Sequence, residues 1–441
     1  MQEREQIKNG IPVYSYRNPA LHGFYLSLYV RAGSLYECEE NSGISHFTEH
    51  LLIRNVNRLM GGGLYALLDR EGLEFNASTY SDMIQFYITG ASEKFEVACR
   101  VFPKLLAPLV LSREEIELER RRVRAEIREG DDKTSLGTFS AKILYPAHPL
   151  SLPIVGTGSS VSRLSGKRLE AFRRRIVSRG NFFFFLTGNY EEEKIALLLD
   201  TAQEILNADD TAPREPASLS GAVSFAPSLP AANGTVALPT GFGRRGSVYV
   251  KNADFTMLRF CFDLDMTKVS LPEVDLLYDV LFAGYNSRFF IEMSENRGLF
   301  YDINGSVERY PNLGLLYFTY EVKEKDLEES VKISLRILSQ MKQDLLAEEE
   351  MMKASYVDNA GLLFDDAREF NFTMAYDAHI LGLGYRSLAE RTAAYRDVTP
   401  ARLRDVARAV FRPENLTLTM KGNKKRIDKE KLRAMFSVLD A

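Results

Sequence analysis

The sequence predicts an α+β fold of two similar domains, each a mainly antiparallel sheet covered by helices. The chain has 441 residues, which is enough for about two to four domains. Strand-like and helical segments alternate in both halves of the chain. Residues 181–189 (NFFFFLTGN) are also matched in pattern by residues 415–423 (NLTLTMKGN). The strands alternate in polarity, which favours antiparallel pairing with one covered face.

A change in composition divides the chain into two halves. Residues 207–246 are rich in Ala, Pro, Ser and Gly, as is typical of a linker. We therefore predict a first domain at 1–206, a linker at 207–246 and a second, homologous domain at 247–441. Each half opens with a strand-like segment, at 24–34 and at 256–266. A repeat of this length indicates a duplicated domain rather than a solenoid.

The elements of the first half follow from hydrophobic periodicity. We predict strands at 11–16, 24–32 and 83–90, and helices at about 42–56, 61–71, 93–109 and 113–130. Ser112 followed by Glu115 is a capping box that begins the last of these helices, and Gly130 is placed to end it. These elements describe helices that pack on a sheet.

Composition excludes several classes of function. The net charge is −4, and no basic stripe indicates nucleic-acid binding. The three cysteines (Cys38, Cys99 and Cys261) form no CxxC pair, which argues against a cysteine zinc site. A charged N-terminus and the lack of a run of about 18 apolar residues argue against a signal peptide and a membrane span. We expect a cytoplasmic protein.

Residues 46–50, His-Phe-Thr-Glu-His, form the inverted zinc-binding motif H-x-x-E-H. His46 and His50 are four residues apart, so a helix places both imidazoles on one face. A zinc ion bound there would lower the pKa of a water molecule, and Glu49 would accept its proton. The alternative is that two histidines lie four residues apart by chance. Because the chain has only five histidines, a chance pair that also brackets a glutamate at the right place is improbable.

A third protein ligand is needed, and the helix at 113–130 offers two carboxylates. Glu119 and Glu126 lie seven residues apart on an apolar stripe formed by Ile116, Val123 and Ile127. A carboxylate on a buried stripe is costly unless it is paired or bound to a metal. Helical projection therefore leaves either glutamate as the ligand, and pairing of both with arginines as the alternative.

The chain resembles the pitrilysin/insulinase family of zinc peptidases, especially the half-size members related to mitochondrial processing peptidase. That family has a Glu 76 residues after the second His and another Glu seven residues earlier, which correspond here to Glu126 and Glu119. Residues 71–87, 148–157 and 286–306 resemble further family segments. The resemblance implies one Zn²⁺ per chain, bound by His46, His50 and Glu126. It also implies that Glu49 is the general base and that Glu119 supports the ligands from outside.

The resemblance also implies how a peptide is held. Asn76 and Ala77, in FNAST at 75–79, correspond to an edge strand that binds substrate as an added strand. Without the resemblance, FNAST could equally be a turn. The family uses an Arg and a Tyr from the second domain to grip the peptide. Tyr301 matches the Tyr, although a core aromatic is the alternative. Ser294 stands where the Arg is expected, with Arg297 three residues on.

The missing Arg favours a heterodimer in which a related chain supplies the Arg/Tyr pair, with a homodimer as the alternative. Half-size members enclose peptides in a chamber formed by two chains, so we expect a zinc metalloendopeptidase that acts on short or unfolded peptides. One competing function is a non-catalytic subunit of a peptidase complex, although such relatives usually lose zinc ligands. Another is a zinc amidase for small molecules, against which the duplicated domains argue.

Overall fold

The computed structural model describes residues 2–130, 135–211, 236–343, 345–347, 350–351 and 355–440. Most of the predicted linker, residues 212–235, lies outside these ranges. The chain divides into two compact units. The first comprises Met1–Asp132, His148–Ala232 and Leu362–Ser387, and the second comprises Lys133–Ala147, Asn233–Gly361 and Leu388–Ala441.

The strands of the first unit are β1 (Arg4–Lys8), β2 (Ile11–Arg17), β3 (Gly23–Val30), β4 (Glu74–Thr79), β5 (Ile84–Ala91) and β6 (Phe182–Gly188). The strands of the second are β7 (Ser247–Asn252), β8 (Thr256–Asp265), β9 (Ile303–Arg309), β10 (Leu313–Val322) and β11 (Leu416–Gly422).

The helices of the first half of the chain are α1 (Ile44–Leu59), α2 (Leu64–Glu71), α3 (Phe95–Val101), α4 (Arg113–Glu129), α5 (Leu136–Leu144), α6 (Gly158–Arg163), α7 (Gly166–Ile176) and α8 (Lys194–Thr211). Those of the second half are α9 (Leu271–Phe282), α10 (Leu327–Gln343), α11 (Ser355–Asp358), α12 (Ala360–Leu363), α13 (Ala367–Ala375), α14 (Leu388–Arg396), α15 (Pro400–Val410) and α16 (Lys429–Ala434).

The two sheets have the same topology. Their strand orders are β1-β2-β6-β3-β5-β4 and β7-β11-β8-β10-β9. β2–β6 and β7–β11 are parallel pairs, and the other neighbouring strands are antiparallel. Without β1, each strand of the first sheet has a counterpart at the same place in the second. The predicted α+β fold with two similar, mainly antiparallel domains is therefore confirmed.

The matched Asn residues that directly precede β6 and β11 have the same role in both units. Asn181 donates its side-chain amide to the carbonyls of Arg31 and Ile176, at 3.0 and 2.7 Å. Asn415 donates in the same way to Asp263 and Val410, at 3.0 and 2.9 Å. In each unit one acceptor lies five residues before the asparagine, at the end of the preceding helix. The sequence match therefore reflects a repeated structural unit.

Most of the predicted elements of the first half are present within two or three residues of their expected ends. The helix predicted at 93–109 is shorter: α3 ends at Val101, and a 3₁₀ turn follows at Phe102–Leu106. Pro103 lacks the N–H that an α-helix needs at that point. β1 was not predicted, because its residues are all exposed and have no apolar alternation.

The units differ from the predicted halves in two segments. α5 comes from the first half of the chain but belongs to the second unit, where Ser140 contacts Thr419 of β11 at 2.6 Å. α13 comes from the second half but belongs to the first unit, where it covers one face of the sheet. Such long-range packing leaves no signal in the local sequence pattern.

The expectation that one face of the first sheet would be covered is wrong, because both faces of β3 are buried. Leu26 and Leu28 pack with Phe47 of α1 in one hydrophobic core. On the other face, Tyr25 and Tyr29 are also buried, because α13 packs over them. The polar side chains on that face of the sheet therefore contact polar groups of α13 rather than solvent.

Asn371 of α13 lies at the centre of this second face. Its amide donates to the carbonyls of Tyr25 and Phe185 at 3.2 and 3.0 Å and to the hydroxyl of Thr187 at 3.2 Å. Its carbonyl oxygen accepts a hydrogen bond of 3.0 Å from the Tyr29 hydroxyl. The side chain is completely buried, so each of its polar groups depends on these partners.

We expect Asn371→Ala to destabilise the first unit by roughly 2–4 kcal/mol, since it leaves several buried polar groups unsatisfied. Differential scanning calorimetry would show this as a lower melting temperature. Asn304→Ala, at an exposed asparagine of β9, is the control and should leave the melting temperature unchanged. Equal melting temperatures for all three proteins would show that the Asn371 contacts do not stabilise the fold.

Within the part of the chain that the structure describes, no helix is long and apolar enough to cross a membrane.

Candidate metal centre

A buried carboxylate fixes the start of α1, the helix that carries the H-x-x-E-H motif. Glu37 accepts hydrogen bonds from the backbone N–H groups of Gly43 and Ser45, at 2.7 and 2.9 Å. The first N–H groups of a helix have no partner within the helix, so Glu37 supplies one from outside. Burial raises the pKa of Glu37 to about 7, although these two N–H groups act in the opposite direction.

Two facing glycines allow another loop to approach the same point. Gly43 has φ of 87°, and a Cβ on it would lie 2.7 Å from the Cα of Gly156. Gly156 has φ of 74°, and a Cβ there would lie 2.4 Å from the Ser42 carbonyl. A side chain at either position would clash with backbone, so the sequence needs glycine at both.

The second helix of the site, α4, is anchored by an arginine. Ser112 and Glu115 form the predicted capping box, and Gly130 follows the last turn. Arg120 is buried and donates to the carbonyls of Val161 and Leu164, the latter at 2.7 Å. These bonds hold α4 against the end of α6. Two acidic residues of α4, Glu119 and Glu126, face α1.

α1 and α4 bring two imidazoles and one carboxylate together. Nε2 of His46 lies 3.5 Å from Oε1 of Glu126, and Nε2 of His50 lies 3.5 Å from Oε2 of the same residue. One ligand atom from each of the three residues lies within 4.8 Å of the others. Among the described residues, this is the cluster of histidine, cysteine and acidic side chains that could hold a metal ion.

The separations fit a zinc ion. With bonds of about 2.0–2.2 Å and tetrahedral angles, zinc ligand atoms lie about 3.4 Å apart, close to the two nitrogen–oxygen distances here. Two imidazoles and one carboxylate are a common catalytic zinc set, which leaves a fourth position for water or substrate. Nδ1 of His46 is buried and has no hydrogen-bond partner in the described chain, so packing rather than a hydrogen bond orients this ring.

Glu119 occupies a different place from Glu126. Its side chain is only 3% exposed, whereas that of Glu126 is 47% exposed. Oε2 of Glu119 lies 3.6 Å from Nδ1 of His50, the nitrogen that faces away from Glu126. Its other oxygen accepts from Arg54 at 2.6 Å and from Arg122 at 2.8 Å. Glu119 therefore lies behind the His50 ring, on the side away from Glu126.

Burial and charge set the proton affinities of the two histidines. Burial, followed by the charge of His50, lowers the pKa of His46 to about 4. Burial also acts to lower the pKa of His50, but the close contact with the Glu119 carboxylate and the charges of Glu49 and Glu126 outweigh it and raise the pKa. A neutral His46 is the form that binds metals.

Glu49 points from the same helix towards the edge of the sheet. Its carboxylate is largely buried, and burial raises its pKa, against the opposing effects of Thr79 and His50. The Thr79 hydroxyl donates to Oε2 of Glu49 at 2.6 Å. Thr79 is the last residue of β4, so this strand and the Glu49 carboxylate are in direct contact.

FNAST is a strand and not a turn. Within β4, Asn76 is paired with Tyr87 and Ala77 with Phe86. β4 lies at the end of the strand order, so in the described structure its other edge is not paired with another strand. This edge is free to accept an added strand.

The residues expected to grip a peptide from the second domain lie in the second unit. Tyr301 is 98% exposed, so the alternative that it packs in a core is wrong. Ser294 lies in a π-helical turn at Phe290–Glu295. Arg297 is paired with Glu292 at 2.9 Å and also donates to the Glu292 carbonyl. Arg297 is therefore engaged within its own segment.

Sequence reasoning missed four residues around the candidate metal centre: Glu37, Arg54, Thr79 and Arg122. Glu37 contacts the start of α1, the two arginines contact Glu119, and Thr79 contacts Glu49. Arg54 had a readable signal, because it follows His50 by four residues on the same face of α1. Thr79 had none, because its contact with Glu49 joins residues that are 30 positions apart.

Comparison with known proteins assigns the chain to one family. Residues 13–158 match the model of the insulinase family (peptidase family M16), and residues 163–355 match the model described as peptidase M16 inactive domain. An uncharacterized zinc protease of Rickettsia felis is 23% identical over 387 residues, which cover 87% of each chain.

Solved structures agree on the fold. A protease from Helicobacter pylori has a TM-score of 0.78 at 18% identity, over 96% of this chain and all of that one. The periplasmic protease PqqL of Escherichia coli has a TM-score of 0.75 at 16% identity, over 99% of this chain and 50% of that one. The fold of this chain therefore covers the whole of the Helicobacter pylori protease but only half of PqqL.

Proposed function

The chain belongs to the insulinase family, peptidase family M16, and we propose that it is a zinc metalloendopeptidase that cleaves short or unfolded peptides. One observation carries this proposal: the imidazoles of His46 and His50 meet the carboxylate of Glu126 at zinc-ligand spacing. The names of relatives such as the zinc protease of Rickettsia felis support the same reaction class.

We assign His46, His50 and Glu126 as the ligands of one Zn²⁺ per chain. When bound, zinc lowers the pKa of a water molecule and polarises the carbonyl of the peptide bond to be cleaved. Glu49 accepts the proton of the attacking water and returns it to the leaving nitrogen. Its position beside the assigned ligand His50, with the carboxylate held by the Thr79 hydroxyl, supports this role.

Glu119 supports the zinc centre from outside. We expect Glu119→Gln to weaken zinc binding about 10–100-fold, the range typical for partners of metal ligands, because His50 loses a charged acceptor. Competition with a chromophoric chelator would measure the affinity. Glu117→Gln is the control, since Glu117 lies on the same helix and pairs with Arg120 rather than with a histidine. Unchanged affinity in Glu119→Gln would contradict this role.

Substrate binds as an added strand along β4, next to Asn76 and Ala77. The unpaired edge of β4 supports this mode, because main-chain hydrogen bonds hold an extended peptide with little demand on its sequence. We also assign Tyr301 to peptide binding, supported by its exposure. A peptide chamber closed between two chains would admit only short or unfolded peptides, which are the substrate class that we propose.

A related partner chain completes the enzyme in this proposal. Ser294 stands where family members have the Arg of the Arg/Tyr pair, and Arg297 is engaged with Glu292. A heterodimer in which the partner supplies the Arg, with a peptide chamber between the chains, accounts for this. This chain matches one half of PqqL, which supports an assembly that contains two chains of this kind. PqqL is periplasmic, and a cytoplasmic location for this chain stays a prediction.

A non-catalytic subunit is the second candidate function. The match of residues 163–355 to the M16 inactive domain favours it, but that match lies outside the residues of the metal cluster. The presence of His46, Glu49, His50 and Glu126 in one cluster supports catalysis instead.

The test is to incubate the purified chain, alone and with a family partner that carries the Arg/Tyr pair, with a peptide mixture and to follow cleavage by mass spectrometry. We expect zinc-dependent cleavage that needs the partner. Full activity of the chain alone would contradict the heterodimer but not the peptidase. Bound zinc without cleavage under either condition would favour the non-catalytic subunit.

A further inference from the structure

We propose that Thr79 is a positioning residue that aligns the Glu49 carboxylate and links this alignment to the substrate strand β4. This inference rests on the proposed function, because it concerns the orientation of the general base. The Thr79 hydroxyl lies outside the H-x-x-E-H motif.

The contact between the two side chains is short and specific. The Thr79 hydroxyl donates to Oε2 of Glu49 at 2.6 Å. Among the described residues, Thr79 is the hydrogen-bond donor that the Glu49 side chain has. Bonds to an ionised acceptor are stronger than neutral ones, so this bond can select one orientation of the carboxylate.

Thr79 itself is held from two sides, because the turn that follows it is anchored. The Leu35 N–H donates to the Ser81 carbonyl at 2.8 Å. The Tyr376 hydroxyl donates to the buried carboxylate of Asp82 at 3.0 Å. The end of β4 is therefore fixed by contacts to two other segments of the same unit.

The loop that anchors this turn also anchors α1. The Gly33 N–H donates to the Ser45 hydroxyl at 2.9 Å, and Glu37 accepts from the N–H groups of Gly43 and Ser45. One loop, residues 33–37, thus holds both the helix that bears Glu49 and the turn that follows Thr79. The segments on both sides of the Thr79–Glu49 bond are therefore held by one loop, whereas the outer edge of β4 is left for the peptide.

Peptide binding should act on this bond. A peptide added to β4 would pair with the strand up to its last residue, which is Thr79. Binding energy from peptide residues far from the cleaved bond would then be used to align the base, so that truncated substrates lose kcat as well as affinity. A residue with only a structural role would not produce such a dependence.

The test compares Thr79→Val, Thr79→Ser and Thr89→Val with the wild-type complex. Val keeps the shape and the strand preference of Thr but removes the donor. Thr89 is the matched control, because its hydroxyl lies on the neighbouring strand β5 and donates to the Phe24 carbonyl. Measurements are kcat and KM for one long and one truncated peptide, together with zinc content and melting temperature.

We expect Thr79→Val to lower kcat about 10–100-fold for the long peptide, with KM within about twofold and zinc content unchanged. The kcat advantage of the long peptide over the truncated one should shrink. Thr79→Ser should restore most of kcat, and Thr89→Val should behave as wild type. A wild-type kcat in Thr79→Val, or an equal loss of kcat in Thr89→Val, would overturn the inference.

Crystal structures of the zinc-loaded wild type and Thr79→Val test the inference without activity. We expect the Glu49 carboxylate to rotate in the variant, and an unchanged carboxylate would overturn the inference. If the wild type cleaved no peptide but the carboxylate still rotated in Thr79→Val, the proposed function would be refuted. The positioning role of Thr79 would then still stand.

Discussion

Replacing Glu49 with glutamine is expected to lower kcat/KM for a peptide about 10²–10⁴-fold, the contribution typical of a general base. Gln has nearly the same shape, and its carbonyl oxygen can still accept the Thr79 hydrogen bond. Only the capacity to take a proton is lost. Peptide cleavage by mass spectrometry or a quenched fluorogenic peptide would measure the effect in the complex with its partner.

Zinc content separates this loss from a loss of the metal. Glu49 is not one of the three residues of the cluster (His46, His50 and Glu126), so Glu49→Gln should keep about one zinc per chain. Glu39→Gln, at an exposed residue before α1, controls for removing a negative charge nearby. Cleavage at the wild-type rate by Glu49→Gln would remove Glu49 from the mechanism, whatever the zinc content.

Much of the candidate site could be predicted because it follows from one helix. The spacing of His46 and His50 places both rings on one face of α1, and the structure has them there, with ring centres 4.7 Å apart. The capping box at Ser112 likewise marks the start of α4. Local periodicity also predicted the paired segments that begin with Asn181 and Asn415, whose hydrogen bonds are the same in both units.

What sequence reasoning could not supply depends on contacts between distant segments. Helical projection left Glu119 and Glu126 as alternatives, because both lie on the same stripe of α4. Packing against α1 separates them: Glu119 meets Arg54 and the back of the His50 ring, whereas Glu126 meets both Nε2 atoms. The same holds for α13, whose Asn371 covers a sheet formed more than 180 residues earlier in the chain.

Replacing Glu126 with glutamine is expected to abolish stable zinc binding. The variant removes the only carboxylate of the three-residue cluster while keeping the shape of the side chain. Because partners outside the ligand set typically contribute 10–100-fold in affinity, loss of a ligand should exceed that range and the effect of Glu119→Gln. Zinc content after dialysis at a defined free zinc concentration, measured by mass spectrometry of the metal, should fall from about one per chain to a small fraction.

Stability gives a second measurement that does not depend on activity. A metal that binds only the folded chain raises the melting temperature with its concentration, so added zinc should stabilise the wild type and not Glu126→Gln. Glu129→Gln is the matched control, because Glu129 is an exposed residue of the same helix outside the cluster. If Glu119→Gln lost zinc completely and Glu126→Gln kept it, the ligand assignment would have to be reversed, because the buried glutamate rather than the half-exposed one would then bind the metal.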